Sequence, residues 1–199
     1  MLNYLAAALP EHTSAAARLL ALQCALRMNI HMRIRLPRGV VRSLRLDAAP
    51  GLWAELDHAR WLRTTPGPTA GEIAAELLDV TLLSQAPARP DRRRAADWAL
   101  RAGSSSAVRD IGPLHRLAGV YLAANTHPET GTGLGDLEQM ARACGTQTAE
   151  LPDTLDQLVA AGSLGSWQTC PDSGDLQWTF AERRSNGLQP KLRRNSLEA

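Results

Sequence analysis

Residues 113–126, 131–145 and 151–164 read PLHRLAGVYLAANT, GTGLGDLEQMARACG and LPDTLDQLVAAGSL. In each segment the apolar residues recur at intervals of three or four positions, which predicts three amphipathic helices. Gly145 supplies a stop for the second helix, and Pro152 suits the first turn of the third. The next segment, SWQTCPDSGDLQWTF at residues 166–180, predicts two short strands joined by a Pro-Asp-Ser-Gly turn. The sequence therefore predicts three helices followed by a β-hairpin.

The first half of the chain repeats this plan about 100 residues earlier. Four segments predict in turn a helix, a half-buried strand and two more helices: TSAAARLLALQCALRMN (13–29), IHMRIRL (30–36), RGVVRSLRL (38–46) and PGLWAELDHARWL (50–62). The third helices of the two halves share one apolar spacing, with Leu56, Ala59 and Leu62 opposite Leu158, Ala161 and Leu164. A duplicated unit is the simplest interpretation.

Two segments between the halves are harder to assign. The Pro/Gly-rich start of residues 64–85 suits the tip of a hairpin. The run ELLDVTLL (76–83) could form the returning strand that the repeat favours, but GEIAAELL (71–78) contains equally good helix formers. Residues 87–103, PARPDRRRAADWALRAG, predict a connector that leads into a short helix with Asp91 as its N-cap.

The segment GDLEQMARACG followed by DTLDQLVAAGSL resembles the helix-turn-helix core of the winged-helix superfamily. In that superfamily an alanine packs the second helix against the third, and Gly-x-Leu leads into the wing. The resemblance covers residues 113–180 more fully than residues 12–83. It implies a mainly α fold with small β-hairpin wings (α+β), built as two winged-helix domains in tandem. The expected boundaries are 12–83 for a basic first domain, 84–112 for a basic helical linker, 113–180 for an acidic second domain and 181–199 for a basic tail.

The charge is distributed unevenly along the chain. The whole sequence has a formal net charge of only +2. Residues 18–63 contain nine arginines and three carboxylates, whereas residues 129–180 contain eight carboxylates and a single arginine, Arg142. The two halves therefore cannot present the same surface to a polyanion.

The basic run in the first half and the arginine triplet of the linker predict contact with DNA phosphates. The alternative is that these arginines form a solvated surface without a ligand. The residues that we expect to bind DNA are Arg27, Arg33, Arg35, Arg38, Arg42, Arg45, Arg60, Arg92, Arg93 and Arg94.

The third helix of the second half exposes Asp153, Asp156 and Gln157 on its predicted polar face. Phosphates repel carboxylates, so this unit is expected to mediate dimerisation or bind a partner protein instead of reading a DNA groove. The third helix of the first half is also predicted to expose Glu55, Asp57, His58 and Arg60.

We expect a cytoplasmic DNA-binding homodimer, with transcription regulation in a bacterium as the leading role. A winged-helix scaffold for protein interactions is one alternative, and a replication or partition protein of a plasmid or mobile element is another. The five histidines and three cysteines lack catalytic or metal-ligand spacing, so we expect neither an enzyme nor a cofactor or metal. Neither a signal peptide nor a membrane-spanning run is predicted.

Overall fold

The computed structural model of the chain describes residues 1–46, 51–65, 72–103 and 111–181. Within these ranges the helices are α1 Leu2–Ala8, α2 Ala15–Arg27, α3 Arg38–Ser43, α4 Leu52–His58, α5 Thr81–Gln85, α6 Arg89–Ala102, α7 Pro113–Ala124, α8 Leu137–Cys144 and α9 Leu151–Ala160. The strands are β1 Arg33–Pro37, β2 Leu62–Thr65, β3 Glu72–Leu77, β4 Thr132–Gly135, β5 Leu164–Thr169 and β6 Leu176–Phe180. A short 3-10 turn, Thr148–Glu150, precedes α9.

One order of elements occurs twice. The first unit runs α2-β1-α3-α4-β2-β3, and the second unit runs α7-β4-α8-α9-β5-β6. In each unit the last strand lies at the centre of an antiparallel three-stranded sheet, with the strand orders β1-β3-β2 and β4-β6-β5. The prediction of a mixed α+β fold is therefore confirmed. Strand β4 was not predicted, because its Gly-rich sequence has little strand propensity of its own.

The third helices of the two units end in the same way, as their shared apolar spacing predicted. The Trp61 N–H donates to the Leu56 carbonyl at 3.1 Å, and the Ser163 N–H donates to the Leu158 carbonyl at 3.0 Å. Leu56 and Leu158 are both buried. Helices α4 and α9 therefore correspond in structure as well as in sequence.

Helix α2 is enclosed on all sides. The sequence predicted an amphipathic helix, but all residues from 17 to 26 are buried, including Arg18 and Gln23. The helix packs against α4 and β1 of its own unit and also against α1, α6 and α7. Because both units pack on α2, a single hydrophobic core extends through the described chain.

The buried polar side chains of this central helix donate hydrogen bonds to backbone carbonyls. The Arg18 guanidinium, 1% exposed, donates to the carbonyl oxygens of Leu5, Pro10 and Thr13 at 3.3, 2.8 and 3.0 Å. Burial lowers the pKa of Arg18. The Gln23 amide donates to the Ala96 carbonyl at 3.2 Å and so joins α2 to α6. These bonds offset part of the cost of removing Arg18 and Gln23 from water.

The structure resolves the ambiguity of residues 71–83 in favour of both elements. A strand occupies Glu72–Leu77, as the repeat required, and helix α5 starts at Thr81. The position expected for the strand is wrong, because β3 lies mostly in GEIAAELL (71–78), while the run at residues 76–83 contains the start of α5. The predicted hairpin tip at residues 66–71 and the first turn of α4 at Pro50 lie outside the described residues, as do residues 182–199 of the predicted tail.

The predicted linker helix is longer than expected and is part of the core. Helix α6 has 14 residues, and Ala96 and Ala99 bury its inner face. Ala88 takes the N-cap position, while Asp91 lies inside the first turn. Helix α1, which was not predicted, packs against α8 of the second unit.

Replacing Gly145 by Ala is expected to destabilise the protein strongly. Gly145 has a φ of +67°, and an added methyl group would overlap the Thr13 carbonyl and the Arg18 guanidinium. We expect a loss of about 2–5 kcal/mol in the free energy of unfolding, from backbone strain and overpacking together.

The matched control is Gly162→Ala, since Gly162 has a φ of +69° but its added methyl would meet no atom within 4 Å. This variant should lose only about 1–2 kcal/mol. Urea denaturation of both variants measures the difference, and equal losses would show that close packing at Gly145 is not important.

Candidate nucleic-acid interface

A cationic cleft lies between the outer face of the first sheet and the N-terminal end of α6. Its volume is ≈ 690 Å³. Five arginines line the cleft: Arg27, Arg33, Arg35, Arg89 and Arg93. His31 also lines it, and Glu76 is the one carboxylate among its described lining residues. This excess of guanidinium groups creates a positive potential suited to a phosphate-rich ligand.

The alternation of β1 places two of these arginines in the cleft. Ile34 and Leu36 point into the core and are 1% and 0% exposed, whereas Arg33 and Arg35 are exposed on the other face. This arrangement confirms the half-buried strand that the sequence predicted.

The sheet register brings a further arginine to the same face. Arg33 of β1 lies opposite Glu76 of β3, and Glu76 lies opposite Arg63 of β2. Side chains at opposite positions of antiparallel strands share a face and lie within reach of each other. Glu76 is therefore flanked by two cations, which reduces its repulsion of an anionic ligand.

Helix α6 is fixed to the end of α2 by a buried and a half-buried arginine. Arg27 donates to Gln23 Oε1 at 3.1 Å and to Asp97 Oδ1 at 2.8 Å. Arg92 donates to the carbonyl oxygens of Pro87 at 2.7 Å and Met28 at 3.1 Å. These bonds join the start of α6 to the end of α2 and so hold Arg89 and Arg93 at the cleft.

The structure divides the predicted DNA-binding residues into three groups. It brings together four of them in the cleft: Arg27, Arg33, Arg35 and Arg93. It places five more on the surface outside the cleft lining: Arg38, Arg42, Arg45, Arg60 and Arg94. Arg94 lies 3.4 Å from Asp91 in an exposed ion pair.

Arg92 is a correction to the predicted interface. It is only 6% exposed, and its guanidinium is committed to two backbone carbonyls. A phosphate in solvent cannot reach it, because the helix turns its side chain towards α2. Sequence reasoning counted the triplet at residues 92–94 as one patch, although consecutive helical residues point in different directions.

Sequence reasoning missed Arg89, Arg63 and His31. Arg89 lies one helical turn before Arg93, and this spacing signals a shared face once the helix is known to begin at Arg89. The sequence gives no comparable indication that Arg63 and His31 lie near the cleft. The position of Arg63 depends on the sheet register, and that of His31 depends on the turn before β1.

The second unit has a cleft in the equivalent place, but its described lining residues include no arginine, lysine or carboxylate. Its volume is ≈ 580 Å³. Asn125 and His127 repeat the Asn-x-His of Asn29 and His31, which line the first cleft. The strands contribute neutral polar groups, a glycine, one exposed leucine and two tryptophans: Thr132, Gly133, Leu134, Ser166, Trp167, Gln168, Gln177, Trp178 and Thr179. The two clefts therefore suit ligands of different chemistry.

The third helices differ in part from their predicted surfaces. In α4, Glu55 is not free, because Ser14 donates its hydroxyl to this carboxylate at 2.8 Å. Asp57 and His58 are exposed as predicted, and Arg60 lies in the turn that follows the helix. In α9, the three residues predicted on the polar face, Asp153, Asp156 and Gln157, are exposed.

The described residues contain no group of three or more His, Cys, Asp or Glu side chains that could hold a metal ion. In the same ranges, none of the helices combines the length and apolar character needed to cross a membrane. In comparisons with known proteins, no family model, curated protein or solved structure matches the chain.

Inorganic tripolyphosphate is expected to raise the melting temperature of the protein by binding in the cationic cleft. At a free concentration near one hundred times its dissociation constant, a ligand stabilises the folded state by about 2.7 kcal/mol, or about 5–10 °C in a chain of this size. Differential scanning fluorimetry at constant ionic strength measures the shift.

The variant Arg33→Ala/Arg93→Ala should lose most of this shift, because it removes guanidiniums from both walls of the cleft. Arg142→Ala, in the acidic second unit, is the matched control and should keep it. The same shift in all three proteins would rule out the cleft as the anion site.

Proposed function

We propose that the protein binds double-stranded DNA through the cationic cleft of its first unit. The observation that carries this proposal is the convergence of five arginines from α2, β1 and α6 on one cleft. A guanidinium can donate paired hydrogen bonds to phosphate oxygens and displace the counterions condensed on DNA. Both effects favour a polymer with regularly spaced phosphates over a single small anion. Arg27 is already bonded to Gln23 and Asp97, so these phosphate contacts are assigned to the four arginines of β1 and α6.

The repeated fold supports a tandem winged-helix architecture for this DNA-binding protein. In each unit, a helix, a strand, two helices and two strands occur in the order of a winged helix, and the last strand is central. The resemblance of residues 113–180 to that superfamily implies transcription regulation as the role.

Backbone contact is favoured over base reading. Helix α4 has only seven residues and exposes Asp57, whose carboxylate is repelled by the phosphates beside a groove. We therefore infer that the first unit grips DNA largely independently of its sequence.

The second unit is proposed to bind a partner protein. Its equivalent cleft lacks arginines among the described lining residues, and Leu134 in that cleft is 60% exposed. Residues 17–26 of α2 are buried within the chain, so this helix is not available as a homodimer interface. Self-association would have to use another surface.

Binding to a 20-base-pair duplex is expected to weaken steeply with salt. Up to four phosphate contacts predict a slope of log K against log salt of about −3 to −4. The variant Arg33→Ala/Arg35→Ala should reduce the magnitude of this slope by about 2 and weaken binding to all sequences alike. Mobility-shift titrations between 50 and 300 mM salt provide both values.

Arg142→Ala serves as the control and should leave the slope unchanged. A wild-type slope near zero would remove phosphate contact as the basis of function and would favour the interaction scaffold instead.

A further inference from the structure

Helix α9 presents a row of carboxylates on its outer face. Leu155 and Leu158 are buried on the opposite face of the helix, whereas Asp153 and Asp156 are exposed. Glu150, at the end of the turn that leads into α9, is also exposed and continues the row. The three carboxylates follow one another at intervals of three residues, which is about 4.5 Å of helix rise at each step.

The charge of this carboxylate row is not compensated within its own unit. Residues 113–181 contain eight carboxylates and two arginines. Arg116 is buried, and Arg142 lies 3.9 Å from Glu138 of its own helix. Helix α9 itself contains neither arginine nor lysine. In the described part of the chain, the three carboxylates of the row take part in no ion pair.

The carboxylate row is also held in place before any partner binds. The Trp167 indole N–H donates to Asp156 Oδ1 at 2.8 Å and so joins α9 to β5. The inner face of the helix packs on α7 and β5. A charged row on a packed helix loses less conformational freedom on binding than a flexible segment would.

The cationic cleft has the opposite charge and a similar spacing. Arg33 and Arg35 lie two residues apart on β1, which is about 6.6 Å, and Arg89 and Arg93 lie one turn apart on α6, which is about 6 Å. Within the ranges that the structure describes, none of these four arginines takes part in an ion pair. A guanidinium can bind a carboxylate through two parallel hydrogen bonds, as it binds a phosphate.

We propose that α9 of one copy docks in the cationic cleft of a second copy and competes there with DNA. The inference rests on the proposed function, because the carboxylate row occupies the arginines that bind phosphate. Both surfaces are exposed in one chain whose units share a core, so they pair between copies. Because the two surfaces differ, the assembly is head-to-tail, and it grows beyond a dimer or closes into a ring.

Two neutralised variants test the head-to-tail contact. Arg33→Ala/Arg93→Ala weakens the cleft but keeps α9, and Asp153→Asn/Asp156→Asn does the reverse. Each variant alone should stay monomeric at 50 mM salt, where the wild type self-associates, and the wild-type association should weaken several-fold at 300 mM. An equimolar mixture should form a 1:1 complex and nothing larger, because one intact cleft meets one intact α9. Sedimentation velocity measures these masses.

The matched control is Glu129→Gln/Asp172→Asn, which removes two exposed carboxylates of the second unit outside α9. It should self-associate as the wild type does. Loss of self-association in this control would show that net charge alone is responsible and would overturn the inference. A wild type that stays monomeric at 50 mM salt would overturn it directly, and so would a mixture of the two neutralised variants without a complex.

Titrations with a 20-base-pair duplex separate this inference from the proposed function. Asp153→Asn/Asp156→Asn keeps the arginines but loses the competitor, so it should bind the duplex several-fold more tightly than the wild type at concentrations where the wild type self-associates. Equal tightening in Glu129→Gln/Asp172→Asn would overturn the competition.

The two proposals can fail independently. Salt-dependent duplex binding by a monomeric wild type would leave the proposed function standing and overturn the docking of copies. A 1:1 complex of the two neutralised variants without duplex binding by the wild type would keep the docking and overturn both the proposed function and the competition.

Discussion

The enclosure of α2 is the constraint on which the rest of the structure depends. Residues 17–26 have no face in contact with water, because α4 and β1 cover one side while α6 and α7 cover another. Exposing a buried leucine from this helix would cost about 1.5–3 kcal/mol. The two units are therefore held together by the core itself. The cleft depends on the same packing, since α6 forms one of its walls.

The two units show how one fold supports two surface chemistries. Their cores repeat, as the buried pair Leu56 and Leu158 illustrates. The outer faces of the sheets do not repeat, because their side chains project away from the core. Arg33 and Arg35 occupy the first strand of one sheet, whereas Thr132 and Leu134 occupy the first strand of the other. The charge of the outer sheet face can differ between the two units because the packing of the core does not depend on the side chains of that face.

Some of the arginines counted in the sequence are buried and do not contribute to the surface charge. Arg18, Arg92 and Arg116 are at most 6% exposed, and each donates to backbone carbonyl oxygens. A guanidinium has five donors in one plane, so it can satisfy several carbonyls at the junctions between helices. These three cations hold elements together. Arg18 is the one of the three that lies in residues 18–63, so the positive charge available to a ligand there is smaller by one than the nine arginines of that segment suggest.

The sequence by itself determined the type and order of most elements, the duplication, and the outward direction of Arg33 and Arg35. These features follow from local periodicity, because the side-chain directions of helices and strands repeat along the chain. Only the tertiary structure decided that α2 is buried all round, that Arg92 faces inwards, and that Arg89 and Arg93 meet the arginines of β1. Those outcomes depend on how α6 docks and how the strands pair, which are contacts between residues far apart in the chain.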